Sequence, residues 1–85
     1  MNRFYFHLRC GEKVIADDEG TDFADVAAAR SEALAAARQI LAETIRSGRG
    51  DAPEAFIIAD SEGRELDTVA FAALVPDRLR SKAVS

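Results

Sequence analysis

A chain of 85 residues holds one domain with a modest core, because a protein of this size buries only around two-thirds of the surface its unfolded chain exposes. Hydrophobic content of 48% beside 31% charged residues argues against a disordered chain and against a membrane span, and a net charge of −4 removes the broad basic footprint that phosphate neutralisation needs. The single cysteine, Cys10, has no partner for an internal disulfide or a compact thiolate zinc site, and the first residues turn polar too soon for a secretory leader, so a reducing cytoplasm is expected.

Residues 3–9 alternate strictly. Phe4, Phe6 and Leu8 fall on one side and Arg3, Tyr5, His7 and Arg9 on the other, the period of a half-buried strand. Cys10-Gly11-Glu12 turns the chain and Lys13-Val14-Ile15-Ala16 returns as a shorter partner, which gives a hairpin. Cys10 reads as a turn residue rather than a redox group, since Arg9 is its only cationic neighbour in sequence. Next, Asp17, Asp18, Glu19, Asp22 and Asp25 gather around the start of a helical segment, where carboxylates favour the positive end of the helix dipole. A divalent cation is the functional alternative, but the spacing does not reproduce the calcium loop.

The segment 23–47 is alanine-rich with apolar residues at helical spacing. Phe23, Val26, Ala33, Leu34, Ala37, Leu41, Thr44 and Ile45 share one side, with Asp25, Glu32, Gln39, Glu43 and Arg46 opposite. Asp22 is the predicted N-cap, with Asp25 three residues on as in a capping box, and Gly48 supplies the stop. Arg30 breaks the pattern by projecting from the middle of the apolar stripe. A guanidinium there must pair or snorkel, so a structural ion pair with Asp60 or Asp67 is expected, and an anion site under the helix is the alternative. Ala28, Ala35 and Ala42 recur at seven-residue spacing beside the polar face, where a second helix would approach closely; plain helix propensity explains the same stripe without a partner.

Ser47-Gly48-Arg49-Gly50-Asp51-Ala52-Pro53 is a connection rich in turn residues, and it resembles no phosphate loop. Residues 55–60 are apolar and favour a strand, Ser61-Glu62-Gly63 turns, and 64–71 alternates again, giving a second hairpin. Ala72-Ala73-Leu74-Val75 continues that strand or opens a short helical turn before Pro76, and residues 76–85 read as a flexible basic tail. The expected architecture is a two-layer α+β domain over residues 1–75: an antiparallel sheet of three or four strands in the order β-β-α-β-β, with one long helix across one face.

The run Phe4-Tyr5-Phe6-His7-Leu8-Arg9 followed by Gly11, then Asp17-Asp18-Glu19-Gly20, Ala29-Arg30-Ser31-Glu32-Ala33 and Asp60-Ser61-Glu62-Gly63, resembles a family of small bacterial proteins of unknown function. That family often carries aspartate where Cys10 stands, which implies that the thiol is not a required group. The resemblance implies no activity, catalytic residue or cofactor. A weaker similarity, limited to the first hairpin, the Asp17 to Gly20 loop and the helix, is to the sheet-and-helix domain of HicB-type antitoxins, and implies a small partner-neutralising protein.

Three functional classes follow. The first is a non-enzymatic interaction module, self-associating or bound to another protein through Tyr5, His7 and Arg9 on the uncovered sheet face or through Ala28, Ala35 and Ala42 on the helix, and needing no cofactor or metal. The second is a single-strand nucleic-acid platform, in which Arg3, Tyr5, His7 and Arg9 alternate cations with stacking rings against an unfavourable net charge. The third is an enzyme, for which one histidine and no nucleophile constellation leave nothing to assign.

Overall fold

The computed structural model describes residues 1–48 and 53–75. The alternating N-terminal segment forms β1 (Asn2–Cys10), and a turn at Gly11 returns it as β2 (Lys13–Ile15). A third strand, β3 (Thr21–Phe23), precedes the helix α1 (Val26–Ser47); β4 (Ala55–Asp60) and β5 (Glu65–Ala70) complete the sheet, and a short 3-10 turn spans Phe71–Leu74. All pairings are antiparallel, in the order β2-β1-β4-β5, with β3 also on β1. The α+β class, with an antiparallel sheet and one long helix among the described residues, stands as expected from the sequence. The sheet has five strands rather than three or four. Residues 49–52 of the predicted connection and the predicted tail at 76–85 lie outside the described residues.

Phe23 explains the additional strand. Helical spacing assigns it to the helix, but in the fold it pairs with Asn2 and its ring meets those of Phe4 at 6.2 Å and Phe6 at 5.8 Å between centroids. Holding that ring over the sheet keeps 21–23 extended, so α1 starts later and its N-cap is Asp25, not Asp22. The Asp25 carboxylate accepts from the Ala28 N–H at 2.9 Å. Asp22 instead lies on β3 and pairs with Arg3 at 3.2 Å. The other end agrees with the sequence: Gly48 closes the helix in the left-handed region at φ 77°, its N–H reaching the Ile45 carbonyl.

The buried line of α1 is Ala29, Ala33 and Ala37, each fully covered, with Ala36, Ile40 and Leu34 packed at its margins. This is a rotation from the predicted stripe. Small side chains let the helix backbone come close to the sheet, so alanines rather than leucines take the centre and Arg30 moves out to the rim. Val26 and Ile45, counted in the predicted stripe, are 41% and 70% exposed. The helix of 22 residues extends for about 33 Å, and in its last turn Ile45 is left to solvent.

Under the helix lie Phe4, Phe56, Ile58, Val69 and Phe71. Strand β4 sits between β1 and β5, and its residues 55–59 are all buried, in keeping with the unbroken apolar run Ala55-Phe56-Ile57-Ile58-Ala59. Pairing fixes the faces: Phe6 stands opposite Ile58 toward the helix, whereas His7, Ile57 and Thr68 align on the other side.

Candidate functional site

The sheet face away from α1 carries the residues that the alternation of β1 singled out. Tyr5 and His7, two apart on β1, present half-buried rings stacked at 6.4 Å and 19°. Beside them on β4 lie Ala55, Ile57 and Ala59, where two small side chains are shadowed by their neighbours and Ile57 keeps 8% of its surface. Thr68 and Ala70 of β5 continue the rows and are exposed. Val69, between Thr68 and Ala70, points to the helix and is buried. Arg9 stands at one end of the face and reaches Glu54 at 3.6 Å; Arg3 stands at the other, with Asp22. The two cations are therefore already balanced.

His7 is tied to the loop between β2 and β3. Its Nδ1 accepts from the Asp17 N–H at 3.1 Å, which leaves the proton of the neutral ring on Nε2. The Asp17 carboxylate in turn accepts from Phe6 N–H at 3.1 Å through Oδ2, and from Glu19 and Gly20 N–H at 3.2 and 3.1 Å through Oδ1. β2 and β3 pair with the two ends of the same β1 edge, and Asp17 satisfies the strand N–H in the gap between them. Burial alone would push the Asp17 carboxyl up, but the N–H groups of Phe6, Gly20 and Glu19 outweigh it and hold the group below its usual range. Gly20 closes the loop at φ 71°. A Cβ there would lie 2.8 Å from Arg3 Cγ and 2.9 Å from both the Phe4 carbonyl oxygen and Tyr5 Cε2.

The acidic segment thus divides into separate structural roles. Asp17 clasps the β1 edge, Asp22 pairs with Arg3, Asp25 caps the helix, and Arg3 also donates to the Glu19 carbonyl at 2.7 Å. Among the described residues no group of three potential metal ligands comes together.

Of the two partners foreseen for Arg30, the fold selects Asp67, at 2.7 Å. Both side chains are partly exposed at the seam of helix and sheet, where such a pair contributes about 0.2–1 kcal/mol. Asp67 also bonds to its own strand, its Oδ1 accepting from the Thr68 N–H at 2.8 Å. Asp60 organises the turn before β5, accepting from the N–H groups of Glu62 and Arg64 and from the Arg64 side chain; the Arg64 N–H leads the causes that lower its carboxyl. A hollow of about 290 Å³ beside this turn is lined by Arg3, Asp60, Ser61, Glu62 and Arg64, and each guanidinium in it already holds a carboxylate. Ala28 is half-buried, and Ala35 and Ala42 are exposed on the helix side turned from the sheet. No described helix is long and apolar enough to cross a membrane.

With this geometry in place, comparison with protein families matches residues 3–72 to the sequence model described as a domain of unknown function (DUF6894). The chain belongs to that family. The matched span takes in β1 from its second residue, the other four described strands, the helix and the start of the 3-10 turn. Neither the curated proteins nor the solved structures include a match. Sequence reasoning identified Tyr5, His7 and Arg9 as one face but missed the bond between His7 and Asp17. The run Asp17-Asp18-Glu19-Gly20 signals only the local turn, in which the Asp17 carboxylate accepts from the Gly20 N–H.

Proposed function

We propose that this DUF6894 domain is a non-enzymatic binding module that self-associates through the sheet face bearing Tyr5, His7, Ile57 and Thr68. The observation that carries the reading is the unequal cover of the sheet: α1 lies on one face, while the other presents the half-buried rings of Tyr5 and His7 and the exposed Thr68 around a buried Ile57, in a setting whose cations are internally paired. A face with Arg3 beside Asp22 at one end and Arg9 beside Glu54 at the other opposes a second copy without a surplus of either charge. The same pairing weighs against a nucleic-acid platform, because phosphate would have to displace a carboxylate from each arginine. It also weighs against an antitoxin-like or other role that relies on those cations for nucleic acid.

Against a catalytic reading stand the ties of His7 and Asp17. The acceptor nitrogen of His7 is occupied by the Asp17 N–H, and the Asp17 carboxylate by three backbone donors. The family match assigns no reaction, and among the described residues no hydrogen bond joins a nucleophilic side chain to a base.

Sedimentation of the full chain tests the reading. Wild type is expected to enter a dimer at micromolar concentrations, and Thr68→Arg, which places a charge at an exposed position in the middle row, is expected to weaken it at least about tenfold, or ~1.4 kcal/mol. A wild type that stays monomeric up to about 100 µM, well above the concentrations at which a standard-sized specific interface forms, would end it.

A further inference from the structure

The β5 edge, rather than the face, carries the second inference. The Phe71 N–H bonds to the Glu54 carbonyl beside β4, so strand alternation turns the N–H groups of Thr68 and Ala70 away from the sheet, where no described strand pairs with them. An edge of this kind is a template for a further strand. Here the central outward donor, Thr68 N–H, is covered by Asp67 Oδ1 at 2.8 Å, and Asp67 Oδ2 is held at 2.7 Å by Arg30 from the helix. One carboxylate bridges the layers and shields the edge together.

We infer that Asp67 is an edge guard, with Arg30 as its positioning residue, and that the surface it closes fits the β5 strand of a second copy of this chain. The fit follows from register. Antiparallel pairing of two β5 strands about a two-fold through Thr68 sets Thr68 opposite Thr68, Ala70 opposite Leu66, and Asp67 opposite Val69, so no like charges meet. Leu66, at the irregularity of the β4–β5 ladder, is 44% exposed and gains an apolar neighbour in that arrangement. With the guard in place, an incoming strand meets a carboxylate where it needs the Thr68 N–H.

The test uses the full chain. Asp67→Ala is expected to associate at least tenfold more tightly than wild type in sedimentation, and its Ala70 amide to exchange about tenfold more slowly as protein concentration rises. Asp67→Asn, which retains an acceptor for the Thr68 N–H, is expected to stay close to wild type. Face-to-face association of the kind proposed above leaves the Ala70 amide on an open edge, so the exchange readout separates the two surfaces. Should Asp67→Ala fail to fold by circular dichroism, Arg30→Ala, which frees the carboxylate without removing it, is read in the same way and is expected to shift both quantities in the same direction by a smaller factor. Unchanged sedimentation of the folded variant, or association without slower Ala70 exchange, overturns the inference.

Discussion

Asp17 and Asp67 do the same chemistry on opposite sides of the sheet, each placing a carboxylate oxygen on a strand N–H, in different surroundings. Asp17 is half-buried, accepts from three backbone donors, anchors the loop that supplies β3, and has Gly20 packed against Arg3, Phe4 and Tyr5. Asp67 keeps 35% of its side-chain surface, accepts from one backbone donor and leans on a single arginine. The β1 edge is therefore closed by an integral part of the fold. The β5 edge is closed by a partly exposed side chain with fewer ties to the rest of the fold.

The largest expected effect tests the first half of that contrast. Gly20→Val imposes both a left-handed φ and an approach under 3 Å to the Phe4 carbonyl, so a loss of about 2–4 kcal/mol is expected in denaturant unfolding. Gly63→Val, also at positive φ but with nothing within 4 Å of a Cβ, isolates the backbone contribution and is expected to cost about 1 kcal/mol. Equal losses at the two glycines would remove close packing as the reason for Gly20.

Asp17 comes next. Asp17→Ala leaves three backbone donors without their acceptor, with an expected loss of about 1–3 kcal/mol, less where water enters. Because the folded carboxyl lies below its usual range, the native state favours the charged form. Its contribution is then complete above the unfolded value of about 3.9 and disappears as pH falls through the lower folded value. The stability difference between wild type and Asp17→Asn is expected to be flat from about pH 7 to 5 and to shrink below about pH 4. A difference constant to pH 2 would show that the charge on Asp17 does not stabilise the loop.

Most of the frame was readable because its signals are local. Strict alternation over 3–9 sets the faces of β1, the apolar run at 55–59 marks the strand buried on both sides, and Gly48 ends the helix where the periodicity does. The misplaced parts depend on distance and size. Helical periodicity places Ala33 and Ala37 in the buried stripe but leaves out Ala29 and counts in Val26 and Ile45, because the separation of helix and sheet is set by the smallest residues, Ala29, Ala33 and Ala37. β3 is three residues long, and its Phe23 fits the helical period as well as it fits the strand. The His7–Asp17 bond crosses a hairpin, and no local pattern distinguishes an aspartate that folds back from one that faces water. Arg30 was conspicuous for the right reason, since a cation beside an apolar stripe requires a partner, but the second bond of that partner to Thr68 emerges only in three dimensions.

The smallest expected effect completes the contrast. Arg30→Ala removes a pair whose members are 44% and 35% exposed, so its stability change is expected to stay under about 1 kcal/mol, and that of Asp67→Ala is expected to be of similar size. Solvent screens the attraction, and each side chain recovers conformational freedom when its partner is gone. If the pair were chiefly a tie between helix and sheet, its loss would register in the unfolding midpoint and leave assembly unchanged. Guarding an edge predicts the reverse order of sensitivity: a midpoint close to that of wild type, and a change in association that grows with concentration. Measuring both quantities on the same sample distinguishes these roles, and a loss above about 2 kcal/mol for Arg30→Ala would place the Asp67 side of the molecule in the same class as the Asp17 loop.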